Sequence, residues 1–594
     1  MSLVEQLAPE AHTTSETLVR DQRGWKSPAP VFVAMLAFAV GLTPVMMYTD
    51  LRYGLGLALG GLIAIVLLAL TLRFPIFGFY ALEFAAVVIE ENSLATPIGT
   101  DTLDVFSWPA RFAGMPERPI GFYILALLLI IIAAGLATRK ATILRLGPLI
   151  IPFLLFLACV VMGIIHGLAT GGDFRIIVLE VRPFWYLFTT YLIAYNLITN
   201  KRQVITFLWI LVLGTWFKGL QGCYIVITAL HGHINGSASE IMAHEQSYFF
   251  VMIPLLILLC VLMKRMRTLM WVCIASLPFV VIALLANNRR ADYMAFVLGA
   301  VTVWILAIRI IVAWRKQLIV WLLITSVVVG MYILVFGNIK TPISAPADSI
   351  ISVIQPKASD TRDLESNLYR VFEDADLKYT EAQSPILGYG FGKPFLTPSP
   401  LPNIVGLDPY YLYIPHNNIL WIWMRLGPLG YLAFWYLFGA AIVRGGVIIK
   451  RLRDPDLQFV ALFAIGSILM EIPLAYGDYQ IYFYRNIFIT GLLMGILLRL
   501  PAIDAKAAVD AVTGKRLRRP TMADLTRLTR PLARRPRGVM VDSAGALFED
   551  VGQSAPAGAP ADTHNSSGPA NSSHTARARG ARLRARYAAD LWRT

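Results

Sequence analysis

Charge is scarce in this sequence. Only 15% of the 594 residues are Asp, Glu, Lys or Arg, and 57% are hydrophobic. Mean hydropathy is +0.62, whereas an ordinary soluble chain carries about 25% charged residues. That shortage excludes a typical water-soluble protein. Cysteine is nearly absent as well. Cys159, Cys223, Cys260 and Cys273 all lie in apolar stretches, with no CxxC or Cys/His spacing, which argues against disulfides and structural zinc. Residues 1–29 are polar and place Arg20, Arg23 and Lys26 ahead of the first apolar block. They do not read as a cleavable signal peptide, so the first span is expected to remain as an anchor. The ten-residue alternating segments of a membrane β-barrel are missing too.

What the chain does have is apolar blocks of about 17–25 residues, the length that crosses roughly 30 Å of hydrocarbon. Fourteen are predicted, near 30–48, 54–72, 74–90, 119–137, 147–169, 182–199, 203–228, 247–263, 268–286, 291–308, 317–337, 418–443, 457–475 and 481–499. The short block at 74–90 can also be read as a re-entrant segment. The expected fold class is all-α, a polytopic helical bundle of about 12–14 membrane helices. With the N-terminus inside, the cytoplasmic loops carry Arg139-Lys140 with Arg145, Lys201-Arg202, Lys264-Arg265 with Arg267, Arg309 with Arg315-Lys316, and Arg444 through Lys450, Arg451 and Arg453. This positive-inside asymmetry supports an even number of spans.

The expected organisation is a cytoplasmic segment at 1–29, a membrane domain at 30–499 and a cytoplasmic tail at 500–594. Roughly half of the formal charge of +15 comes from that tail, with runs such as Lys515-Arg516-Leu517-Arg518-Arg519 and Arg534-Arg535-Pro536-Arg537. The tail is rich in Ala, Gly, Ser and Pro and cannot bury a core. It reads as a disordered segment resting on anionic headgroups, at up to about 1 kcal/mol per well-placed cation; nucleic-acid binding is not expected. On the opposite side lie a loop at 91–118, with Asp101 and Asp104 just beyond Glu90 and Glu91, and a large loop at about 338–417. Loops of that length usually have a role of their own.

Basic residues at the outer ends of spans run against the bias: Arg175, Arg182, Arg289, Arg290, Arg370 and Arg485. Singly, each reads as snorkelling to headgroups or pairing with Glu180 or Asp292. Together they point to a site for an anionic headgroup, because the guanidinium fork suits phosphate. A lipid pyrophosphate is the expected guest. Glu83 and Lys218 fall inside spans and are read as paired, cavity-lining or nearer an interface. His231 and His233, with His244 and Glu245 nearby, read as a polar loop rather than a metal site; no metal or other cofactor is expected.

In the large loop, residues 363–382 are predicted to form an amphipathic helix, with Leu364, Leu368, Val371, Phe372 and Ala375 at helical spacing. Gly388-Tyr389-Gly390-Phe391-Gly392 follows as a turn-rich strip without the Lys-Ser/Thr of a nucleotide loop. His416-Asn417 comes next, at the outer surface, and a histidine there suits general-base work near neutral pH.

These residues bring a resemblance into view. His416-Asn417, nine residues, then Gly427-x-x-Gly430 after a large external loop is similar to the O-antigen ligase and O-antigen polymerase superfamily of bacterial envelope enzymes. Asn287 to Ala291 leading into a span, and Arg370 ahead of Pro385 and the Gly388-x-Gly390 strip, add to it. The resemblance covers roughly residues 140–500. It implies a membrane glycosyltransferase that moves a glycan from an undecaprenyl (polyprenyl) pyrophosphate donor to a glycan, lipid or protein acceptor outside the bacterial inner membrane. It further implies an inverting, metal-independent transfer with His416 as base, and Arg290 with Arg370, then Arg289 and Arg182, on the pyrophosphate. The family pattern has Ser-Arg where this chain has Asn288-Arg289-Arg290, and the chain carries extra N-terminal helices and the basic tail. A polymerase of the same superfamily, a lipid-linked glycan flippase and an assembly scaffold are the competing functions.

Overall fold

The computed structural model describes residues 66–89, 119–137, 143–232, 241–287, 289–337, 344–354, 361–404, 410–482 and 484–512, together with positions 234, 339 and 341. The span expected at 30–48, most of that at 54–72, the 91–118 loop, His233, Asn288 and the tail from 513 lie outside the described residues. Among the described residues there are helices and turns and no strand. The chain is a polytopic helical membrane bundle, with eleven helices long and apolar enough to cross a bilayer among those residues.

After a helical stretch at 66–73, the helices are α1 (Pro75–Val88), α2 (Pro119–Ala137), α3 (Ile150–Ala169), α4 (Phe174–Leu197), α5 (Lys201–Thr228), α6 (Gln246–Met263) and α7 (Arg267–Asn287). Then come α8 (Arg290–Ile310), α9 (Arg315–Phe336), α10 (Ala345–Ile354), α11 (Thr361–Ala382), α12 (Asn418–Arg451), α13 (Pro455–Gly477) and α14 (Tyr484–Val512). From α2 on, every expected span coincides with a helix within about three residues at its start, except that expected at 182–199. There α4 begins at Phe174, so Arg182, expected at the outer end of a span, lies about two turns inside the helix. The starts carry recognisable signals. Asn200 and Gln203 form a reciprocal capping box at α5, and Asp454 caps α13 with Pro455 at its first position. Such side chains satisfy amides that the helix itself leaves unpaired.

α1 departs from a plain span. Its 14 residues reach about 21 Å, short of the hydrocarbon thickness, and nearly all of them are buried. The break at Phe74-Pro75 separates it from the helix before it. Its last carbonyls are met by Arg485: Nε donates to Ala86 O at 2.8 Å and Nη2 to Val87 O at 3.1 Å. Backbone ends at membrane depth survive only where protein groups satisfy them.

α5 packs along α7, α8 along α13, and α12 against α3 and α13. Gly299 and Gly466 face each other where α8 meets α13, a small-residue contact of the kind that drives helix association in lipid. α13 and α14 are buried along most of their length, whereas α9 buries only Leu318 and turns the rest outward.

Ion pairs and hydrogen bonds sort the helix ends into two sets. At one end Lys201 bridges Asp454 at 2.7 Å and Asp456 at 2.6 Å, and the amides of Arg453 and Asp454 donate to Asp504. At the other, Met242 N donates to Asn287, Arg289 reaches Asp478, and Asn418 accepts from the amides of Ile481 and Tyr482. The first set carries the basic loop residues of the sequence pattern; the second carries His416.

Candidate active site

The glycine strip shapes the floor of the site. Gly388, Gly390 and Gly392 all have φ between +76° and +86°, a region that other residues enter only at a cost. Tyr389 N donates to Met424 O at 2.6 Å, Gly390 N to Arg425 O at 3.1 Å and Phe391 N to Gly163 O at 3.3 Å. The strip therefore threads between α3 and α12. α12 makes room by breaking its own helix at Gly427 (φ +66°, ψ −173°). A Cβ on Gly388 would collide with the amide nitrogen of Gly427, and one on Gly427 would sit 2.5 Å from Ile386 O. Gly430, one turn on, has no room for a side chain beside Leu426. The two glycine motifs of the sequence are thus halves of one contact.

A fully buried ion pair holds the strip. Arg425 Nη2 lies 2.6 Å from Glu180 Oε1 of α4, while Nη1 donates to Gly390 O and Nη2 to Tyr413 O. Glu180 Oε2 accepts from Gly392 N. The sequence reading offered Glu180 as a partner for a loop-side arginine; the partner is Arg425, inside a predicted span. Arg182 is buried in α4, a helix joined to the site through Glu180 and the strip.

At the start of α12, Asn417 caps the helix by accepting from Leu420 N at 3.0 Å and donates to Asp374 at 3.1 Å. His416 precedes it. Its Nδ1 lies 3.2 Å from Glu373 Oε1, and its backbone N–H donates to Glu373 Oε2 at 3.0 Å. Glu373 is 1% exposed and the histidine side chain 24%. The carboxylate engages Nδ1, so Nε2 is the ring nitrogen that Glu373 does not hold. Asp374, next to Glu373 on α11, is raised by burial, which outweighs its bond from Asn417.

A second histidine–carboxylate pair stands beside the first. His244 Nδ1 is 3.2 Å from Asp478 Oδ2, and Arg289 Nη1 is 3.7 Å from the same oxygen. The rings of His416 and His244 both pack on Tyr479, with centroids 5.2 and 5.4 Å away, and Tyr369 flanks His416 on another side at 5.5 Å. Burial would push the Asp478 carboxyl up. His244, Arg289 and His416 together hold it well below the usual carboxylate range.

Of the arginines, Arg289 and Arg370 are close enough to repel one another electrostatically, and Arg290 donates to Ser366 of α11 at 3.4 Å. The structure thus brings Arg289, Arg290, Arg370 and His416 to one end of the bundle. Arg485 stands apart, its guanidinium spent on Ala86, Val87, Glu245 and Gln246. His244 and Glu245, weighed in the sequence beside His231 and His233, are divided between Asp478 and Arg485. Sequence reading missed Glu373, Asp478 and Tyr479 as neighbours of His416. The only sequence signal for Glu373 was its place on the loop helix, opposite the apolar stripe.

Fold and site define a multi-pass helical membrane protein with a half-buried histidine, oriented by a carboxylate, beside an arginine cluster. Residues 275–435, about a quarter of the chain, match the family model described as O-antigen ligase, and this likeness supports a membrane glycan-processing enzyme. The matched stretch runs from the middle of α7 into α12 and includes Arg289, Arg290, Arg370, Glu373 and His416. No curated protein matches the chain.

Proposed function

We propose that this protein transfers a glycan from a polyprenyl pyrophosphate to an acceptor hydroxyl at the outer face of the bacterial inner membrane. The observation that carries the reading is the Glu373-bound His416 set beside Arg289, Arg290 and Arg370. The end bearing Lys201, Lys264 and Arg453 faces the cytoplasm, by the positive-inside bias, and the site end faces outward.

A carboxylate on Nδ1 fixes the imidazole with its lone pair on Nε2, the arrangement a general base requires. His416 Nε2 takes the proton of the acceptor hydroxyl. The oxygen attacks the anomeric carbon from the side opposite the pyrophosphate, so the linkage inverts. The bond to the pyrophosphate breaks with its electron pair, and the arginines balance the charge that collects there. Two neighbouring guanidiniums in a half-buried site repel until an anion lies between them, which favours a pyrophosphate over a neutral ligand. His244, held by Asp478, also packs on Tyr479 and so lies in the same cluster as His416. Arg182 has a supporting role through α4, and the basic tail rests on anionic lipid.

The test is purified protein in lipid nanodiscs with a polyprenyl-pyrophosphate oligosaccharide and candidate acceptors, comparing wild type with His416→Ala. Transfer to a distinct acceptor, lost in the variant, supports the reading. Elongated glycan left on the carrier lipid would mean a polymerase. Flipping of the donor without transfer would move the protein to the transporter class, for which Glu83 and Lys218 inside the helices are the relevant residues.

A further inference from the structure

α11 is built inside out. Its residues at helical spacing sort into two stripes, and the polar one faces the protein. Glu373 is 1% exposed, and Asp376, Leu377 and Thr380 are fully buried, whereas Leu368, Val371 and Phe372 are 45%, 62% and 46% exposed and Ala375 and Tyr379 also point outward. In water an amphipathic helix buries its apolar side. A contiguous apolar stripe displayed outward marks an interaction surface.

The position of the helix says what covers that stripe. Ser366 bonds Arg290 at the start of α8, and Glu373 and Asp374 bond His416 and Asn417 at the start of α12. The seven or eight residues between these ties span about 10–12 Å, close to the spacing of neighbouring packed helices. α11 therefore lies across the ends of two membrane spans rather than along them. Its apolar stripe continues into Ile386 and Leu387, both exposed, where the chain meets Gly427 within α12. There α12 turns its own Leu429 and Leu432 outward, as a lipid-facing helix does. Lys378 lies at the exposed edge of the stripe, where its stem can cover apolar surface and its charge reach the headgroups.

We propose that α11 is an interfacial helix whose stripe of Leu368, Val371, Phe372, Ala375 and Tyr379 seats in the acyl-chain boundary of the leaflet at the site end. The docking stands on the geometry above; only the naming of that leaflet as the outer one rests on the proposed function. An amphipathic helix of this length lies in the interface with its apolar face about 5–10 Å deep. Its other face presents Glu373 to His416 and Arg370 to Arg289, so the bilayer holds the catalytic base's partner in place.

The test uses the full chain in nanodiscs of phospholipid carrying a photoactivatable diazirine on the acyl chain, with no lipid-linked glycan present. Mass spectrometry maps the cross-links, and α9, with its outward Met331 and Leu334, is the internal standard. Cross-links on Leu368, Val371, Phe372 or Tyr379 at a yield within a few-fold of α9 are expected. In a Val371→Asp, Phe372→Asp variant they should fall at least fivefold while α9 labelling and the melting temperature hold. α9 labelled with α11 unlabelled would overturn the proposal, as would cross-links from α11 to a second copy of the chain. Persistence of α11 labelling in the double variant would overturn it too. Because no transfer is measured, the result is independent of whether the protein proves to be a transferase.

Discussion

Glu373 and His416, 43 residues apart in the chain, meet through two contacts: Nδ1 of the ring at 3.2 Å and the backbone N–H at 3.0 Å. The second contact fixes the main chain as well as the ring, so the imidazole cannot swing away without breaking a bond at the start of α12. Buried polar groups gripped in this way are costly to leave half satisfied.

Glu373→Gln is therefore expected to lower kcat by about 10²-fold or more, within the range a positioned base supplies, with little change in KM for the acceptor. Steady-state transfer assays against pH would show it. The double variant with His416→Ala should be no slower than His416→Ala alone, because the pair acts as a unit. Additive losses would separate the two residues.

The Glu180–Arg425 pair is buried on both sides. Removing one partner leaves a charge stranded, and Arg425→Met or Glu180→Gln should each cost about 3–5 kcal/mol. Arg425→Met with Glu180→Leu should recover part of that loss. Thermal unfolding in nanodiscs measures all three, and a double variant as unstable as the sum of the singles would contradict the pairing.

Gly388, Gly390 and Gly171 all have positive φ, but only the first two are crowded: a Cβ on Gly390 would sit 2.7 Å from Gly167 N, and Gly171 has nothing within 4 Å. Gly171→Ala should cost about 1–2 kcal/mol, the strain of a left-handed residue. Gly388→Ala and Gly390→Ala should cost several-fold more, because the strip must leave α12 or α3. Equal melting temperatures for the three variants would refute the packing argument.

Asp478 has a folded pKa held below its ordinary value, because the pull of His244, Arg289 and His416 outweighs burial. Its contribution to stability is then full above the unfolded value of about 3.9 and is lost as pH falls through the depressed folded value. The melting-temperature gap between wild type and Asp478→Asn should be steady near neutral pH and shrink below about pH 4. A gap unchanged at pH 3 would show that the charge is not what stabilises this corner.

Much of the architecture could be read directly from the chain. Whether a segment crosses lipid depends on about twenty consecutive residues and little else, so α2 to α9 and α12 to α14 follow from local composition. His416, Gly427 and Gly430 were legible because their spacing lies within one stretch of sequence. The reading could not tell that Arg485 would serve the end of α1, 399 positions away from Ala86. Nor could it see that Glu180 would choose Arg425, or that α11 would turn Glu373 inward and its leucine stripe out. Those outcomes depend on which helix lies beside which. The energy of a buried charge is set by the neighbour that compensates it, and that neighbour exists only once the bundle has packed.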